Sequence, residues 1–487
     1  MATARVESVA SRWEPVIGLE VHCQLKTRTK LFCGCPNRFG DAPNTNICPV
    51  CLGLPGALPV LSRQAVSLAL RAALATECEV QARSVFERKN YFYPDLPKGY
   101  QISQYALPLA RGGRVELPGS RAIGLERIHM EEDAGKLLHE GFAWTREKSG
   151  VDFNRAGVPL IEIVTRPDLR GPEEAHAYLT ALRALLVHAG VSDCDMEKGS
   201  LRCDANVSLR PRGEPVLGTR AEIKNLNSFR NVARALEHEI LRQAELLDCG
   251  RPVVQETRLF DADRGETAAM RGKEDAHDYR YFPEPDLPPL LVSEAWVAEV
   301  RDSLPELPAA RRRRFVRELG LPEYDADVLT QEPEVADYFE AVARACGDAK
   351  AASNWVMTDV LRKRKDDPRP LAAGPVPPER LGELIRLVAQ GTINGSTAKQ
   401  VFETMWASGE PAPAIVEREG LAQVSDAGAL GAVIAEVIAA SPQQVAAYRA
   451  GKQSTLGWLV GQVMRKSGGK ANPQLVNELL RKTLEQV

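Results

Sequence analysis

Four cysteines near the N-terminus lie in two close pairs that suit a metal ion. Cys33 and Cys35 are separated by one residue, Cys48 and Cys51 by two, and twelve residues separate the pairs. Thiolates at such spacing form tetrahedral Zn²⁺ sites with Zn–S distances near ~2.3 Å. Because four protein ligands leave no open position, we expect a structural zinc. The alternative is four buried free thiols.

Polar side chains recur at every second position in four segments that are typical of strands. Residues two apart share one face of a strand, because successive side chains alternate. The shared faces carry Glu20, His22 and Gln24; Arg202, Asp204, Asn206 and Ser208; Arg220, Glu222 and Lys224; and Arg127, His129 and Glu131, followed by Glu132 and Asp133.

These polar faces have two interpretations. The first is an antiparallel sheet with one face in water, which is a common arrangement. The second is a magnesium–nucleotide site, because carboxylates, His, Asn and Arg recur where a solvated face would use Lys, Glu and Thr. Oxygen ligands with a few cations are what such a site needs. Periodicity alone does not decide whether the four faces converge.

The segment 87–104 is rich in aromatic and basic residues. One interpretation is a nucleotide-binding loop, with cations for phosphates and rings that stack on a base. The candidate cations are Arg88, Lys89 and Lys98, and the candidate rings are Tyr91, Tyr93 and Tyr100. The alternative is a structural loop pinned by Pro and Tyr.

The elements that must position these residues change in character near residue 290. Before it, short alternating segments predict strands, and helices are predicted to begin at Ser62, at Pro172 and near Ser228. Four prolines within residues 281–290 prevent a helix or a central strand there. We therefore expect an α+β part with an antiparallel sheet, followed by an all-α part.

The second part reads as helical hairpins with breaks at the proline-rich stretches 366–378 and 409–413. Ser441-Pro442 and Asn472-Pro473 are typical helix starts. Two short basic runs, Arg311–Arg314 and Arg362–Lys365, are either solvated helix faces or RNA contacts. From Gly451 to Val487 the chain has six Lys or Arg and two Glu, and this local excess of positive charge predicts a phosphate-binding surface.

Bulk properties limit the classes of function. A chain of 487 residues suggests about three domains. A formal net charge of −3 means that any nucleic-acid contact must depend on local basic patches. No stretch has the length of a membrane span, and the N-terminus is not a secretory signal, so a cytoplasmic protein is expected. A Walker A motif and a Ser-rich amidase signature are absent from the sequence.

Several long motifs, in order along the chain, resemble those of the B subunit in the aspartyl/glutamyl-tRNA amidotransferase family. They are Val16–His22, Arg88–Asp95, Ile128–Lys136, Pro159–Val164, Gly199–Ser208, Glu222–Ser228, Asp278–Asp286, Leu459–Met464 and Ala471–Val476. The resemblance implies a cradle domain related to the glutamine synthetase and guanido kinase fold, carrying the zinc knuckle, over residues 1–293. It also implies a helical domain over 294–409 and a helical, tRNA-binding tail over 410–487.

The resemblance also implies a reaction. ATP would phosphorylate the side-chain carboxylate of Asp-tRNA(Asn) or Glu-tRNA(Gln), and ammonia would displace the phosphate. The implied cofactors are ATP, Mg and Zn. The implied partners are an amidase (the A subunit of a heterotrimer), a small C subunit and tRNA, with a non-discriminating aminoacyl-tRNA synthetase as a further candidate. Whether Asp-tRNA, Glu-tRNA or both are substrates stays open.

By the same resemblance, particular residues acquire expected roles. The catalytic residues, at the phosphate end of the site, would be Glu20, His22, Glu131 and Glu132, and the three glutamates would be Mg ligands. Neutral His is a less usual Mg ligand. His22 would therefore bind Mg directly, hold one of its ligands in place or contact phosphate. Substrate or ATP contacts would come from Lys89, Tyr91, Asp204, Asn206, Glu222 and Lys224, and tRNA contacts from Lys466, Lys470, Arg481 and Lys482. Glu131 and Glu132 can meet only if the strand ends or bulges beside them.

Two other classes of function remain. One is a non-catalytic tRNA-binding scaffold, which nucleotide binding by the purified chain would exclude. The other is a stand-alone RNA-binding zinc protein, which co-purification with an amidase would exclude.

Overall fold

The computed structural model describes residues 9, 11–119, 121–139, 147–270, 279–367, 369–423, 427–467 and 471–486. It divides the chain into two compact units, Met1–Arg311 and Arg312–Val487. Among the described residues no single helix is long and apolar enough to cross a membrane. One bent helix pair, Leu430–Ala440 with Pro442–Arg449 at 92°, passes that test by length and composition.

The first unit is built on a 10-stranded sheet. The strands of this unit are β1 Trp13–Gln24, β2 Glu79–Val80, β3 Arg83–Ser84, β4 Glu87–Asn90, β5 Tyr100–Ser103, β6 Ala110–Arg111, β7 Arg114–Glu116, β8 Ala122–Glu132, β9 Lys136–Leu138, β10 Gly150–Asp152, β11 Pro159–Thr165, β12 Leu201–Pro211, β13 Ala221–Leu226, β14 Thr257–Asp261, β15 Glu266–Ala269, β16 Phe282–Pro283 and β17 Leu290–Leu291. The order in the large sheet is β15-β14-β13-β12-β1-β11-β8-β6-β2, with β7 also paired to β8.

The large sheet is mixed rather than purely antiparallel. Strands β13 and β14 run parallel, because the helix that connects them returns the chain to the same end of the sheet. The other pairs within this sheet are antiparallel. The predicted α+β class is confirmed, and the prediction of an all-antiparallel sheet is wrong at this one pair. The likeness to the glutamine synthetase and guanido kinase fold stays a prediction.

Helices cover one face of this sheet. They are α1 Arg63–Ala75, α2 Pro172–His188 and α3 Phe229–Asp248. The α3 helix packs against β12 and β13, and α2 packs against α3. The apolar side chains of β1, such as Leu19 and Val21, are fully or almost fully buried on this side. Alternate residues of the central strands therefore lie on the opposite, polar face.

The predicted starts of the three helices are confirmed. The hydroxyl of Ser62 accepts a hydrogen bond from the Ala65 amide at 3.3 Å, and that of Ser228 accepts one from Asn231 at 3.1 Å. Each bond satisfies an amide that has no partner inside its helix. Pro172 occupies the first turn of α2, where its missing N–H costs nothing.

The chain from residue 294 onward is helical. Its elements are α4 Glu294–Asp302, α5 Pro308–Leu319, α6 Glu323–Leu329, α7 Pro333–Cys346, α8 Ala349–Trp355, a π-helix Val356–Val360, α9 Leu361–Arg364, a 3₁₀ turn Leu371–Ala373, α10 Pro378–Ala389, α11 Gly395–Ser408, α12 Ala412–Arg418, α13 Ala427–Ala440, α14 Pro442–Arg449, α15 Ser454–Lys466 and α16 Pro473–Gln486. The starts predicted at Pro442 and Pro473 are confirmed.

The second unit contains two apolar cores. One runs from Phe315 to Val416, and the other from Leu430 to Leu484. Val300 belongs to the core of the first unit, and Ile415 belongs to the first of these two helical cores. The predicted domain boundaries at 293 and 409 stay a prediction.

The two short basic runs are engaged with carboxylates. Arg362 lies 2.5 Å from Glu403, and Arg364 lies 2.7 Å from Glu332. In the other run, Arg314 lies 2.7 Å from Glu340. Paired cations attract phosphate weakly, so these contacts favour the interpretation of the runs as helix faces.

Candidate functional site

The polar faces of the predicted strands lie side by side in the sheet. Strand β1 pairs with β12, which places Glu20 opposite Asp204. Strand β11 lies between β1 and β8 and places Glu162 beside both His22 and His129. Because register partners point to the same side of a sheet, these side chains share one surface.

His22, Glu131 and Glu162 form a compact group of potential metal ligands. The Nε2 atom of His22 lies 3.6 Å from Glu131 Oε1 and 3.5 Å from Glu162 Oε2. One ligand atom from each residue lies within 4.8 Å of the others. Two carboxylates and one imidazole at this separation fit a divalent cation.

His129 holds Glu162 from the side away from His22. Its Nε2 atom lies 3.2 Å from Glu162 Oε2, whereas its buried Nδ1 atom has no hydrogen-bond partner among the described residues. Glu162 is therefore fixed between two imidazoles. A side chain held in this way is preorganised to bind a ligand.

The pKa values of this group reflect mutual stabilisation of charge. Burial lowers the pKa of His22, but its hydrogen bond with Glu162 and the nearby charges of Glu162, Glu131 and Asp204 raise it to about 9 overall. Burial raises the pKa of Glu162, but the two histidines outweigh this effect and hold it well below the usual range. At neutral pH Glu162 is therefore an anion, as a metal ligand must be, whereas a metal ion bound through His22 would have to displace its proton.

Glu20 lies at the junction of this group with a second polar group. The amide of Asn206 donates a hydrogen bond to Glu20 Oε1 at 3.1 Å. Lys224 Nζ lies 3.0 Å from both Asp204 Oδ2 and Glu222 Oε1. Burial and then the charges of Glu162, Glu222 and Asp204 raise the pKa of Glu20. Crowded carboxylates of this kind attract cations.

The structure does not bring Glu132 to the other predicted catalytic residues. Strand β8 continues through Glu132, so Glu131 and Glu132 point to opposite faces. The carboxylate of Glu132 accepts hydrogen bonds from the Ile102 amide at 2.9 Å and from Lys98. The register of β8 with β11 is regular at Glu131 and Glu132, and the strand ends only after Glu132, so both side chains keep the alternation of a regular strand.

The aromatic loop is partly engaged with the protein itself. Arg88 is bound by Glu284 at 2.7 Å and lies over the Tyr100 ring, and Lys98 contacts Glu132. These contacts remove two of the three cations predicted to hold phosphates. The contacts that the structure gives for Lys89 are with rings, the nearer one 4.8 Å from the ring centre of Tyr279.

Tyr91 is directed toward the carboxylates. Its hydroxyl lies 3.4 Å from Gln101 Oε1. Burial and then the charges of Glu131 and of Asp95 raise the pKa of Tyr91. Its ring contacts Tyr279 edge to face, with ring centres 6.1 Å apart. Tyr91 and Lys89 are thus placed beside the site, but neither lies on the large sheet.

The four predicted zinc ligands come together. Their Sγ atoms lie within 4.8 Å of one another, and the backbone amide of Cys48 donates to Cys51 Sγ at 3.1 Å. A hydrogen bond from Cys33 lowers the pKa of Cys51 to about 4, although burial opposes it. A thiolate is thereby stabilised within the cluster, which fits tetrahedral zinc.

The predicted tRNA-binding residues of the tail differ in their surroundings. Lys466 contacts Glu436, whereas Arg481 and Lys482 line an open groove on α16 together with Glu478. Lys470 lies outside the described residues. The two groove cations have no ion pair within the part of the chain that the structure describes.

Sequence reasoning missed the contribution of strand β11. Glu162 stands alone among Leu160, Ile161, Ile163 and Val164, so the segment reads as an ordinary buried strand. The available signal was the carboxylate itself, because a charged residue in an apolar strand is seldom buried without a partner. Asp133 was also undervalued: it binds Arg202 at 2.9 Å and Gln24 at 2.8 Å.

Comparisons with known proteins cover almost the whole chain. Residues 15–298 match the family model described as "GatB/GatE catalytic domain", and residues 337–484 match the one described as "GatB domain". Three curated relatives are each named as the B subunit of aspartyl/glutamyl-tRNA(Asn/Gln) amidotransferase. The Geobacter sulfurreducens protein is 56% identical, covering 97% of this chain and 99% of its own. The Carboxydothermus hydrogenoformans protein is 53% identical, covering 98% and 99%, and that of Pelodictyon phaeoclathratiforme is 56% identical, covering 97% and 100%.

Proposed function

Because the chain belongs to the family of aspartyl/glutamyl-tRNA(Asn/Gln) amidotransferase B subunits, and is therefore one component of an enzyme, we propose that it carries out the amidation step. The proposed substrate is the side-chain carboxylate of Asp-tRNA(Asn), of Glu-tRNA(Gln) or of both. The products are the corresponding Asn-tRNA and Gln-tRNA. An amidase partner supplies ammonia from glutamine, and a small third protein completes the heterotrimer.

The chemistry requires activation of the substrate. A carboxylate resists attack by ammonia, because it is an anion and would have to expel an oxide. In the proposed reaction a carboxylate oxygen attacks the γ-phosphorus of ATP and ADP leaves. The nitrogen of ammonia then attacks the carbonyl carbon, the bond to phosphate breaks, and the nitrogen loses one proton. ATP is thereby converted to ADP and phosphate for each amide formed.

The observation that carries this proposal is the contact of His22 with Glu131 and Glu162 on the polar face. Glu131 and Glu162 would hold Mg²⁺ through oxygen, with His22 either as a further ligand or as the group that orients both carboxylates. When bound, Mg²⁺ supplies the positive charge that lets the phosphates approach a second anion. Glu20, two residues from His22 on the same face, would complete the acidic surface.

Other residues of the chain would bind and orient the substrates. Of the three cations of the aromatic loop that were predicted to bind phosphate, Lys89 is the one without an ion pair among the described residues. Tyr91 lies beside it. Lys224 forms ion pairs with both Asp204 and Glu222 and offsets part of their negative charge beside Glu20. In this proposal Asn206 orients Glu20, and Glu132 supports the strand that carries Glu131.

The remaining parts of the chain have supporting roles in the proposal. The cysteine cluster binds one structural zinc. The tail, from about residue 410, binds tRNA, and its candidate contacts are Lys466, Lys470, Arg481 and Lys482. A contact with a non-discriminating synthetase would deliver the misacylated tRNA.

The test uses Glu20→Gln and Glu131→Gln in the complex assembled with its partner proteins. Each change keeps the shape of the side chain and removes one charge. tRNA binding should persist, while tRNA-dependent ATP cleavage and amide formation fall together by at least about 10²-fold. The matched control is Glu126→Gln, an exposed carboxylate on the same strand as Glu131. Near wild-type amidation by both variants would refute the proposal.

A further inference from the structure

Two arginines lie side by side on the polar face, beyond the carboxylate group. Arg111 of β6 is the register partner of Arg127 of β8. Their neighbours, Ala110 and Ile128, are fully buried on the helix-covered side of the sheet. Because side chains alternate along a strand, both arginines point to the polar face. Arg127 also shares this face with His129, two residues further along β8.

Within the described part of the chain, this pair of arginines lacks the carboxylate partners that other cations on the same face have. His22, Arg202, Arg210 and Lys224 each form an ion pair there. Among the described residues, neither Arg111 nor Arg127 has one. Arg111 donates a hydrogen bond to the Ala106 carbonyl at 2.9 Å, and the buried Nε atom of Arg127 has no hydrogen-bond partner in the residues that the structure describes.

Such an arrangement is unfavourable unless something else compensates for it. Like charges directly opposite each other in a sheet are destabilising. A buried N–H donor without an acceptor is destabilising, because it has lost its hydrogen bond to water. Buried polar atoms of this kind in native proteins often mark the position of a ligand or an ion. An oxyanion between the two guanidinium groups would offset both costs.

Aromatic rings adjoin the arginine pair. The rings of Tyr105 and Tyr281 stack with centres 4.4 Å apart and planes 9° from parallel. The guanidinium of Arg127 lies 5.8 Å from the centre of the Tyr105 ring, and Tyr105 is 51% exposed. Burial and then the charge of Glu131 raise the pKa of Tyr281, while Arg127 lowers it. Tyr281 is therefore close enough to both Glu131 and Arg127 for each charge to affect it.

We propose that Arg111 and Arg127 form an anion-binding site for a nucleotide phosphate, with the Tyr105–Tyr281 stack beside it. Guanidinium groups bind phosphate through several directed, charge-assisted hydrogen bonds. Exposed aromatic rings next to such cations suit a nucleotide, which carries a base as well as a phosphate. Two sources supply this chemistry, the phosphates of ATP and a phosphodiester of the tRNA acceptor end. The inference rests on the proposed function, because both ligands are substrates of that reaction.

The test measures the binding of both ligands by the assembled complex. Arg111→Gln and Arg127→Gln remove the charge, and Arg127→Lys retains it. Arg166→Gln is the control, since Arg166 is an exposed arginine after β11 with a carboxylate nearby at 3.9 Å. Calorimetry gives the affinity for a non-hydrolysable ATP analogue with Mg²⁺. Filter binding at several salt concentrations gives the affinity for tRNA.

Each glutamine variant should bind one of the two ligands about tenfold or more weakly than the wild type, and Arg127→Lys should recover part of that affinity. Loss of analogue affinity alone assigns the site to ATP. Loss of tRNA affinity alone, with the salt slope reduced by about one, assigns it to tRNA. Affinities within twofold of wild type for both ligands in both glutamine variants would overturn the inference. So would an equal loss for both ligands that Arg127→Lys does not restore, because this indicates a disrupted sheet.

Amidation by the wild-type complex separates this inference from the proposed function. If that complex makes no amide from ATP and misacylated tRNA, the proposed function fails. The two binding measurements still decide whether the arginine pair binds a phosphate.

Discussion

The Nε2 atom of His22 lies 3.5 Å from a carboxylate oxygen of Glu162, across the neighbouring strands β1 and β11. The same atom lies 3.6 Å from Glu131, so the imidazole joins two carboxylates that come from different strands. Glu162 is therefore as close to His22 as Glu131 is, and both are candidate ligands of the same metal ion.

The first prediction concerns the metal. Glu162→Gln and Glu131→Gln should each weaken Mn²⁺ binding by the assembled complex at least about tenfold, because each removes one anionic oxygen ligand. Electron paramagnetic resonance of free and bound Mn²⁺ measures the affinity without reference to activity. Glu126→Gln, at an exposed position of β8, should leave the affinity unchanged. Retention of full affinity by Glu162→Gln would remove Glu162 from the site.

The second prediction concerns the cysteine cluster. Metal analysis of the wild type should give about one zinc per chain, and the double variant Cys48→Ser, Cys51→Ser should lose it. Thermal stability should fall, since a structural zinc contributes up to roughly 10–16 kcal/mol in small zinc domains. The control is Cys249→Ser, an exposed cysteine away from the cluster. A double variant that keeps its zinc would show that the cluster is not the binding site.

The third prediction concerns the tail. Arg481→Gln with Lys482→Gln should weaken tRNA binding and reduce the salt slope by up to about two, since fewer counterions are released. Binding of an ATP analogue should be unaffected. Arg418→Gln is the control, because Arg418 is occupied by Glu419 at 3.0 Å and by Glu410. Unchanged tRNA affinity at physiological salt would contradict the role of these two residues.

The fourth prediction concerns a buried carboxylate beneath the sheet. Glu239 of α3 is fully buried and accepts hydrogen bonds from Arg242 and Gln243, both at 2.9 Å, while Arg258 lies 3.2 Å away. Burial raises the pKa of Glu239, but these bonds outweigh it and lower the pKa below its ordinary value. Its stabilising effect is therefore present above the unfolded-state pKa and is lost as the pH falls through the folded-state pKa.

Glu239→Gln should accordingly reduce the free energy of unfolding by about 3 kcal/mol or more at pH 7, because a buried network loses the carboxylate that Arg242 and Arg258 share and, among the described residues, retains only Glu256 beside them. The difference from wild type should shrink as the pH falls below about 4. Urea unfolding followed by circular dichroism at several pH values measures both effects. Glu245→Gln, at an exposed position of the same helix, should change neither the free energy of unfolding nor its dependence on pH. An equal difference at every pH would show that the charge of Glu239 is not responsible.

The sequence by itself determined the features that depend on near neighbours along the chain. Helix α1 begins after Ser62 and α3 after Ser228, because a capping hydroxyl needs only the next three residues. The two-residue period of β1 assigned Glu20 and His22 to one face. The proximity of Cys33 and Cys51 was also predictable, since a metal motif is defined by short spacings.

Only the tertiary structure decided which strands meet. The order β1-β11-β8 puts Glu162 between His22 and His129, and the pairing β6-β8 puts Arg111 beside Arg127. The two-residue period of a strand shows which of its side chains share a face, but it contains no information about which strand lies beside it. Strand pairing depends on the joint burial of a core drawn from the whole unit. Glu132 illustrates the same limit, because the direction of its side chain depends on the regular pairing of β8 with β11 up to that residue. The sequence alone therefore assigns each candidate ligand to a face of its own strand, whereas only the strand pairing decides which ligands come together.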